Sequence, residues 1–416
     1  MIIDIIIIII KYLGNKMKTT KLSLVLTSLL TLTPALVADD TADIKELKQQ
    51  VKELQEMAQI LTDETSDLKT GFNYTTVDNE KSFSGLGAAA SKVYYSSSPL
   101  SIGGYGEMYA SHTNKEIGAS QKLVDVYRFV PYIGYKFTDN IILNTEIEFE
   151  HGGVTPDEGG EVIVEFMYLD FLINKNINFR VGNFLVPMGL INERHEPTLF
   201  NTVQRPATSK YLIPSTWHES GMMVYGNIIE GLEYKLALIT ALTPGDSGKK
   251  WIRDGRGGSF KNKDPKASGV ARVDYTKISG LMVGVSFYTD RDVLMADAHI
   301  DYKYEGARVY GVYTQTTRSD TTASQVKKAT GGYINASFDI LSLTSFDTQL
   351  PLFVQYESTD PEAKFGNAKS GESTNTVTLG LNYFPHPQVV LKTDYAMAKN
   401  FYGDEDVLSV SMGFIF

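Results

Sequence analysis

The chain contains no cysteine among its 416 residues. That one absence removes disulfide frameworks, thiolate catalysis and cysteine-based zinc sites together. It suits a chain that crosses an oxidising compartment without cross-linking. Tryptophan is nearly missing as well, with two residues against 24 tyrosines and 20 phenylalanines. Beyond residue 38 there is no run of about 18 apolar residues, which excludes transmembrane helices. Basic charge is also in deficit, with 39 Lys and Arg against 49 Asp and Glu. Polyanion partners such as nucleic acid are therefore excluded. Histidines are few, and His151, His195, His218, His299 and His386 show no metal-ligand spacing. No cofactor or metal is expected from motifs. Gly103-Gly104-Tyr105-Gly106 lies in an extended stretch and opens no helix. No Gly-x-Ser-x-Gly elbow occurs. Ser220 with His218 is the nearest hint of a hydrolase, so the expectation is a chain that is not an enzyme.

What is present begins with an export signal. Lys18 and Lys21 precede an apolar stretch, Leu22 to Val37, which ends at Ala38 before Asp39 and Asp40. This is the layout of a signal peptide over 1–38, with Met17 the better start. Its removal takes away Lys11, Lys16, Lys18, Lys21 and Asp4, so the formal net charge of −10 falls by three more. Residues 39–69 then form four heptads. Ile44, Val51, Ala58 and Thr65 take the a positions, and Leu47, Leu54, Leu61 and Leu68 take the d positions. This predicts a short coiled coil, leaning towards two strands. Residues 70–99, rich in Gly, Ser and Ala, read as a linker.

From Leu100 to Phe416 the period changes to two. Ile141, Leu143, Ile147 and Phe149 oppose Asn144, Glu146, Glu148 and Glu150. Leu408, Val410, Met412, Phe414 and Phe416 oppose Ser409, Ser411 and Gly413. Apolar residues on one face and charge on the other are expected where lipid lies outside and water inside. Sixteen candidate segments occur, near 100–111, 121–137, 140–151, 161–174, 176–184, 217–229, 231–242, 267–278, 280–291, 293–304, 306–317, 327–340, 348–358, 374–384, 387–398 and 405–416. Their connections alternate between tiny turns and long loops, except near 341–347, which is longer than its peers, and near 292, which is very short. The predicted fold is all-β, a transmembrane antiparallel β-barrel over 100–416. An even strand count returns both ends to one side, the periplasmic side of a bacterial outer membrane, together with the coiled coil.

The longest informative connection is 185–216, after the fifth strand. It carries Pro187, Pro197, Pro206 and Pro214 with Glu193, Arg194, His195, Glu196, Arg205 and Lys210. Long loops in compact domains are usually functional, and this one is placed to narrow a channel. Pore-lining candidates by strand parity are Arg128, Glu146, Glu148, Arg180, Arg272, Asp301 and Arg308. Opposed charges across a narrow aqueous path tune ion preference. The loop at 243–266 holds seven basic residues against three aspartates and reads as a solvated or lipopolysaccharide-facing tip.

These stretches resemble one known group. The heptad start, Gly85-Leu86-Gly87-Ala88 through Lys92-Val93-Tyr94-Tyr95, Leu100 to Glu107, and Arg180-Val181-Gly182-Asn183-Phe184-Leu185-Val186-Pro187-Met188-Gly189 are similar to ε-proteobacterial-type outer-membrane porins, which are grouped with the phosphate-selective porin O/P family. The resemblance implies a sixteen-stranded barrel, a homotrimer, constriction by the loop after the fifth strand, and recognition of Phe416 by the barrel-assembly machinery. The trimer departs from the two-strand lean of the heptads; barrel walls bury more surface than a four-heptad seam, so the trimer is the expectation. The mixed lumen and acidic chain depart from the basic ladder of phosphate-selective members. The expected function is passive diffusion of ions and small hydrophilic solutes through a water-filled channel. The alternative is a structural or adhesive barrel with little transport.

Overall fold

The computed structural model describes Gln49, residues 51–57, Val77 and residues 81–416, except 155–158, 259, 320, 367, 370–372 and 401–402. The chain divides into two compact units, Met1–Lys69 and Thr70–Phe416. In the first, Gln49 and residues 51–57 are helical. The expected signal peptide and most of the expected coiled coil lie outside the described residues.

In the second unit the period-two segments form strands. The first eight are β1 (Leu100–Lys115), β2 (Gln121–Thr138), β3 (Ile141–Glu150), β4 (Glu161–Leu172), β5 (Asn178–Leu185), β6 (His218–Ile229), β7 (Leu232–Thr240) and β8 (Ala267–Tyr275). There follow β9 (Leu281–Thr289), β10 (Val293–Tyr304), β11 (Ala307–Arg318), β12 (Val326–Asp339) and β13 (Pro351–Phe365). The last are β14 (Ala368–Lys369), β15 (Thr374–His386), β16 (Val389–Lys399) and β17 (Glu405–Ile415). β14 is a two-residue return paired only to β13. The other sixteen build the wall, each antiparallel to its sequence neighbours, and β17 pairs back on β1. The ring is closed. It therefore has no free edge, and the wall satisfies its own backbone groups, as a hydrocarbon environment demands.

The alternation sorts side chains as expected. On β2, Phe129, Ile133, Tyr135 and Phe137 are exposed, while Arg128, Val130 and Tyr132 are buried. On β17, Leu408, Val410 and Met412 face out and Ser409 is buried. Most short turns collect at one rim and most long loops at the other; the connection between β12 and β13 is long for its rim, and that between β9 and β10 is short for its own. At the short-turn rim, aromatic rings pair along the strand ends: Tyr135 with Phe137 at 5.1 Å, Phe171 with Phe179 at 6.3 Å and Tyr302 with Tyr304 at 6.5 Å. Such girdles mark the interfacial zone of membrane barrels. β13 outruns its expected end at 358 and continues to Phe365, because its far end pairs with β12 and with β14 above the wall.

The closing seam explains the Gly103-Gly104-Tyr105-Gly106 run. Gly104 and Phe416 exchange both backbone hydrogen bonds, at 3.0 and 2.9 Å. The Phe414 ring lies where a Gly106 side chain would stand, and the Phe416 ring comes within 2.9 Å of the place for a Gly104 Cβ. Aromatics laid over strand glycines pin register. Gly106→Ala should therefore overpack the seam, at a cost of about 1–3 kcal/mol. The check is the temperature at which the folded band is lost on unheated gels. Adding Phe414→Ala should recover part of that loss; strict additivity would contradict the contact.

Candidate functional site

The connection after β5 runs over 186–217, one residue later than expected because Leu185 completes the strand. Its ends are clamped by one side chain. Asn192 Nδ2 donates to the Val186 and Trp217 carbonyls at 2.7 and 2.8 Å, and Asn192 Oδ1 accepts from Trp217 N–H at 2.8 Å. Between these ends the loop bonds to inward side chains of strands on many sides. Gly189 N–H donates to Asp297 of β10 at 3.0 Å, and Arg272 of β8 donates to the Gly189 carbonyl at 2.6 Å. Lys235 of β7 pairs with Glu193 at 2.6 Å. Asn201 reaches Tyr310 of β11 at 2.9 Å and Asn335 of β12 at 2.8 Å. Ala207 and Thr208 N–H donate to Glu357 of β13 at 3.0 and 2.7 Å. Lys392 of β16 donates to the Phe200 carbonyl at 2.8 Å, and Val203 N–H donates to Asp394 at 2.6 Å. Partners so spread around the ring place the loop across the interior.

A second element occupies the interior, and the linker reading of 70–99 lacked it. Ala88–Tyr95 forms a helix, α1, buried over Ala88 to Val93. Phe83 stacks on Tyr94 with ring centroids 3.7 Å apart. Lys92 Nζ donates to the Ile102 carbonyl at 2.6 Å, and burial lowers its pKa to about 8. At the helix start, Ala90 N–H donates to Glu196 of the loop at 3.0 Å. The Glu196 carboxylate fills the space where a Gly87 side chain would stand, so a larger residue there would have to displace it. Burial raises the Glu196 pKa, and the N–H groups of Ala90, Ala89 and Ala88 pull it back in part. Helix N-termini favour such a charge.

The pore-lining candidates lie on the inner face, and all but Glu146 are paired with an opposite charge. Arg180 holds Asp170 through two bonds of 2.8 and 2.9 Å and lies 3.9 Å over the Tyr168 ring. Arg308 grips Asp301 in the same forked way at 2.8 and 2.9 Å, and Arg194 joins that aspartate at 3.2 Å. Arg272 pairs with Asp274 at 2.7 Å. Arg128 sits among Glu107, Glu148 and Glu150 at 3.5–3.8 Å.

Of the loop candidates, Glu193, Arg194, His195 and Glu196 all reach wall or helix groups. Arg205 reaches the Tyr105 hydroxyl at 3.5 Å and the His195 carbonyl at 3.1 Å. Lys210 differs: its carbonyl accepts from Arg253 at 3.2 Å, and its ammonium lies 5.9 Å over the Tyr211 ring. His195 Nδ1 meets the Asn192 carbonyl at 2.7 Å, and Nε2 meets Glu146 at 3.2 Å. Burial, then Arg205, lowers the His195 pKa to about 4.

Sequence reasoning missed Glu107, Glu165 and Asp170, all inward and buried, and the role of the 243–266 loop. That loop folds onto the first one. Arg253 donates to the Lys210 and Ser215 carbonyls at 3.2 and 3.3 Å, and Arg256 to Ser215 and Thr216 at 3.1 and 3.2 Å. Burial, then Arg253, lowers the Arg256 pKa to about 10. Ser220 is exposed and His218 is buried, with its Nδ1 3.0 Å from the Asn183 amide. The hydrolase pair is not assembled.

Removing one partner of a buried ion pair leaves the other charge stranded, at about 3–5 kcal/mol. Arg180→Met should therefore destabilise the barrel strongly, while Arg180→Met with Asp170→Leu should recover most of the loss. Unfolding in denaturant followed by tyrosine fluorescence measures both.

No family model matches the chain. Three solved structures share its fold, at identities where likeness concerns fold alone. The anion-selective porin from Comamonas acidovorans superimposes with a TM-score of 0.54 at 13% identity, over 76% of this chain and 99% of that one. Salmonella typhi OmpF in complex with daunomycin gives 0.53 at 12%, over 76% and 97%. The outer membrane channel DcaP of Acinetobacter baumannii gives 0.52 at 11%, over 76% and 97%. In sequence, an uncharacterized protein of Aquifex aeolicus (strain VF5) is 30% identical over 354 residues, covering 76% of this chain and 79% of that one. An identity of this size over most of both chains shows common descent, and the chain belongs to the family of that Aquifex aeolicus protein.

Proposed function

We propose that the chain is an outer-membrane porin, a passive channel for ions and small hydrophilic solutes narrowed by the loop at 186–217. The observation that carries this reading is the inner face: charged residues at alternate positions of strand after strand, meeting a loop drawn into the interior. A wall that only had to anchor the chain needs no such lining. The likeness of fold to porins and an outer-membrane channel supports it.

The finer parts follow from the same reading. The mature chain begins after Ala38, and 39–69 forms a coiled coil on the periplasmic side. Three copies associate through their walls, lipopolysaccharide surrounds the long loops, and the assembly machinery reads the final strand ending in Phe416. Phosphate selectivity is not carried over, because the lining pairs acids with bases instead of presenting a basic ladder. The sector of β1 to β4 carries Glu107, Glu146, Glu148, Glu150 and Glu165 against two bases of its own, Arg128 and Lys136. This favours cations. A second reading, a structural barrel with little transport, draws on how fully the loop and α1 fill the interior.

Planar bilayers separate the two. The porin reading expects stepwise openings grouped in threes, and a reversal potential of cationic sign in a potassium chloride gradient. Glu148→Gln with Glu150→Gln should move that potential towards zero. A folded trimer that never conducts would support the structural reading, and an anionic potential would defeat the selectivity claim.

A further inference from the structure

Three ligand-type atoms converge where the loop meets the wall. Glu146 of β3, Glu165 of β4 and His195 of the loop each offer one within 4.8 Å of the others. His195 Nε2 stands 3.2 Å from Glu146 Oε1 and 3.9 Å from Glu165 Oε2. These separations bracket the edge of a tetrahedron with bonds of about 2.1 Å, which is roughly 3.4 Å. All three side chains are at least 97% buried.

The orientation of each group is deliberate. Glu146 pairs with Phe166 and Ile147 with Val164, so Glu165 is the unpaired residue of a β-bulge. Phe166 and Glu165 are both buried at 0% exposure, so the bulge turns inward a side chain that strict alternation would send to lipid. Bulges re-aim side chains in this way beside functional sites. His195 Nδ1 lies 2.7 Å from the Asn192 carbonyl. A carbonyl only accepts, so Nδ1 carries the hydrogen, and Nε2, which offers a lone pair when the ring is neutral, is the nitrogen turned to the carboxylates. A histidine held by a backbone carbonyl through one nitrogen is the usual supporting arrangement of a metal-ligating imidazole.

As they stand, the groups are unsatisfied. Both oxygens of Glu165 and Oε2 of Glu146 lack hydrogen-bond partners. So does the hydroxyl of Tyr132, which is 3% exposed and directly opposite Glu146 across β2 and β3. Arg128 already meets Glu107, Glu148 and Glu150, and Arg205, the other cation near both carboxylates, hydrogen-bonds the Tyr105 hydroxyl and the His195 carbonyl and forms an ion pair with neither. Two facing carboxylates and an imidazole lone pair require a cation or a shared proton between them. Glu165 also lines a cavity of about 160 Å³ with Glu148, Glu150, His218 and Arg256, so the cluster borders open space on the Glu165 side.

We propose that Glu146, Glu165 and His195 bind one divalent transition-metal ion, zinc by ligand type, which fastens the interior loop to β3 and β4. Calcium is disfavoured, since it takes six or more oxygen ligands and avoids imidazole. The site is independent of whether the barrel conducts.

The test uses full-length protein purified in detergent, stripped with a chelator and titrated with zinc chloride by calorimetry. One zinc per chain is expected, with binding weakened at least tenfold in both Glu165→Gln and His195→Gln, each first shown folded by unheated gel mobility. X-ray absorption at the zinc edge of loaded wild type needs no variant. It should show one imidazole nitrogen with oxygen donors at about 2.0–2.2 Å. No stoichiometric uptake by the wild type would mean that a proton holds the cluster, and would overturn the proposal. So would undiminished binding in folded variants, or a metal shell without imidazole.

Discussion

The arrangement of the interior depends on one requirement: a charge placed inside a closed wall needs a partner there. An ion removed from water costs several kcal/mol unless it is paired and hydrogen-bonded. Forked Arg180–Asp170 and Arg308–Asp301 contacts meet that requirement within the wall. Lys235, Glu357, Lys392 and Asp394 each hydrogen-bond the interior loop. Three of these four bind loop backbone groups, which would otherwise be left without water. The loop and the wall therefore satisfy each other, and neither is complete alone.

That reciprocity sets the character of the proposed channel. The loop is stiffened by four prolines and closed at its neck by Asn192, so it presents fixed groups to the interior. α1 and Glu196 extend the same logic to the N-terminal segment, where a helix terminus meets a buried carboxylate. The surplus of acid is local to β1 to β4, and it coincides with the convergence of Glu146, Glu165 and His195. Ion preference and metal capture would then draw on one pool of negative charge.

Much of the wall was legible because alternation has a period of two and lipid enforces it. All sixteen strands fall within a few residues of their expected positions, apart from the far end of β13, where Pro361 to Phe365 carry mixed residues with no outward apolar face. The inward orientation of the seven pore-lining candidates was readable by parity for the same reason. Glu165 was not, because a bulge shifts parity and no local signal marks it. α1 was hidden by its composition: Ala88, Ala89 and Ala90 beside Gly85 and Gly87 resemble a linker, and the group that anchors them, Glu196, is more than a hundred residues away. The contacts of His195 were also invisible, since its partners come from strands brought close only by closure of the ring.

The central claim is that residues 186–217 lie across the interior, and the absence of cysteine makes it directly testable. With Asn201→Cys and Asn335→Cys as the only thiols, a short bismaleimide applied to the folded protein should join loop to wall, because the two amides are 2.8 Å apart. A single intramolecular cross-link is expected, read by mass spectrometry as a peptide from the loop joined to one from β12. Two thiols that each react fully with separate maleimides and never join would contradict it.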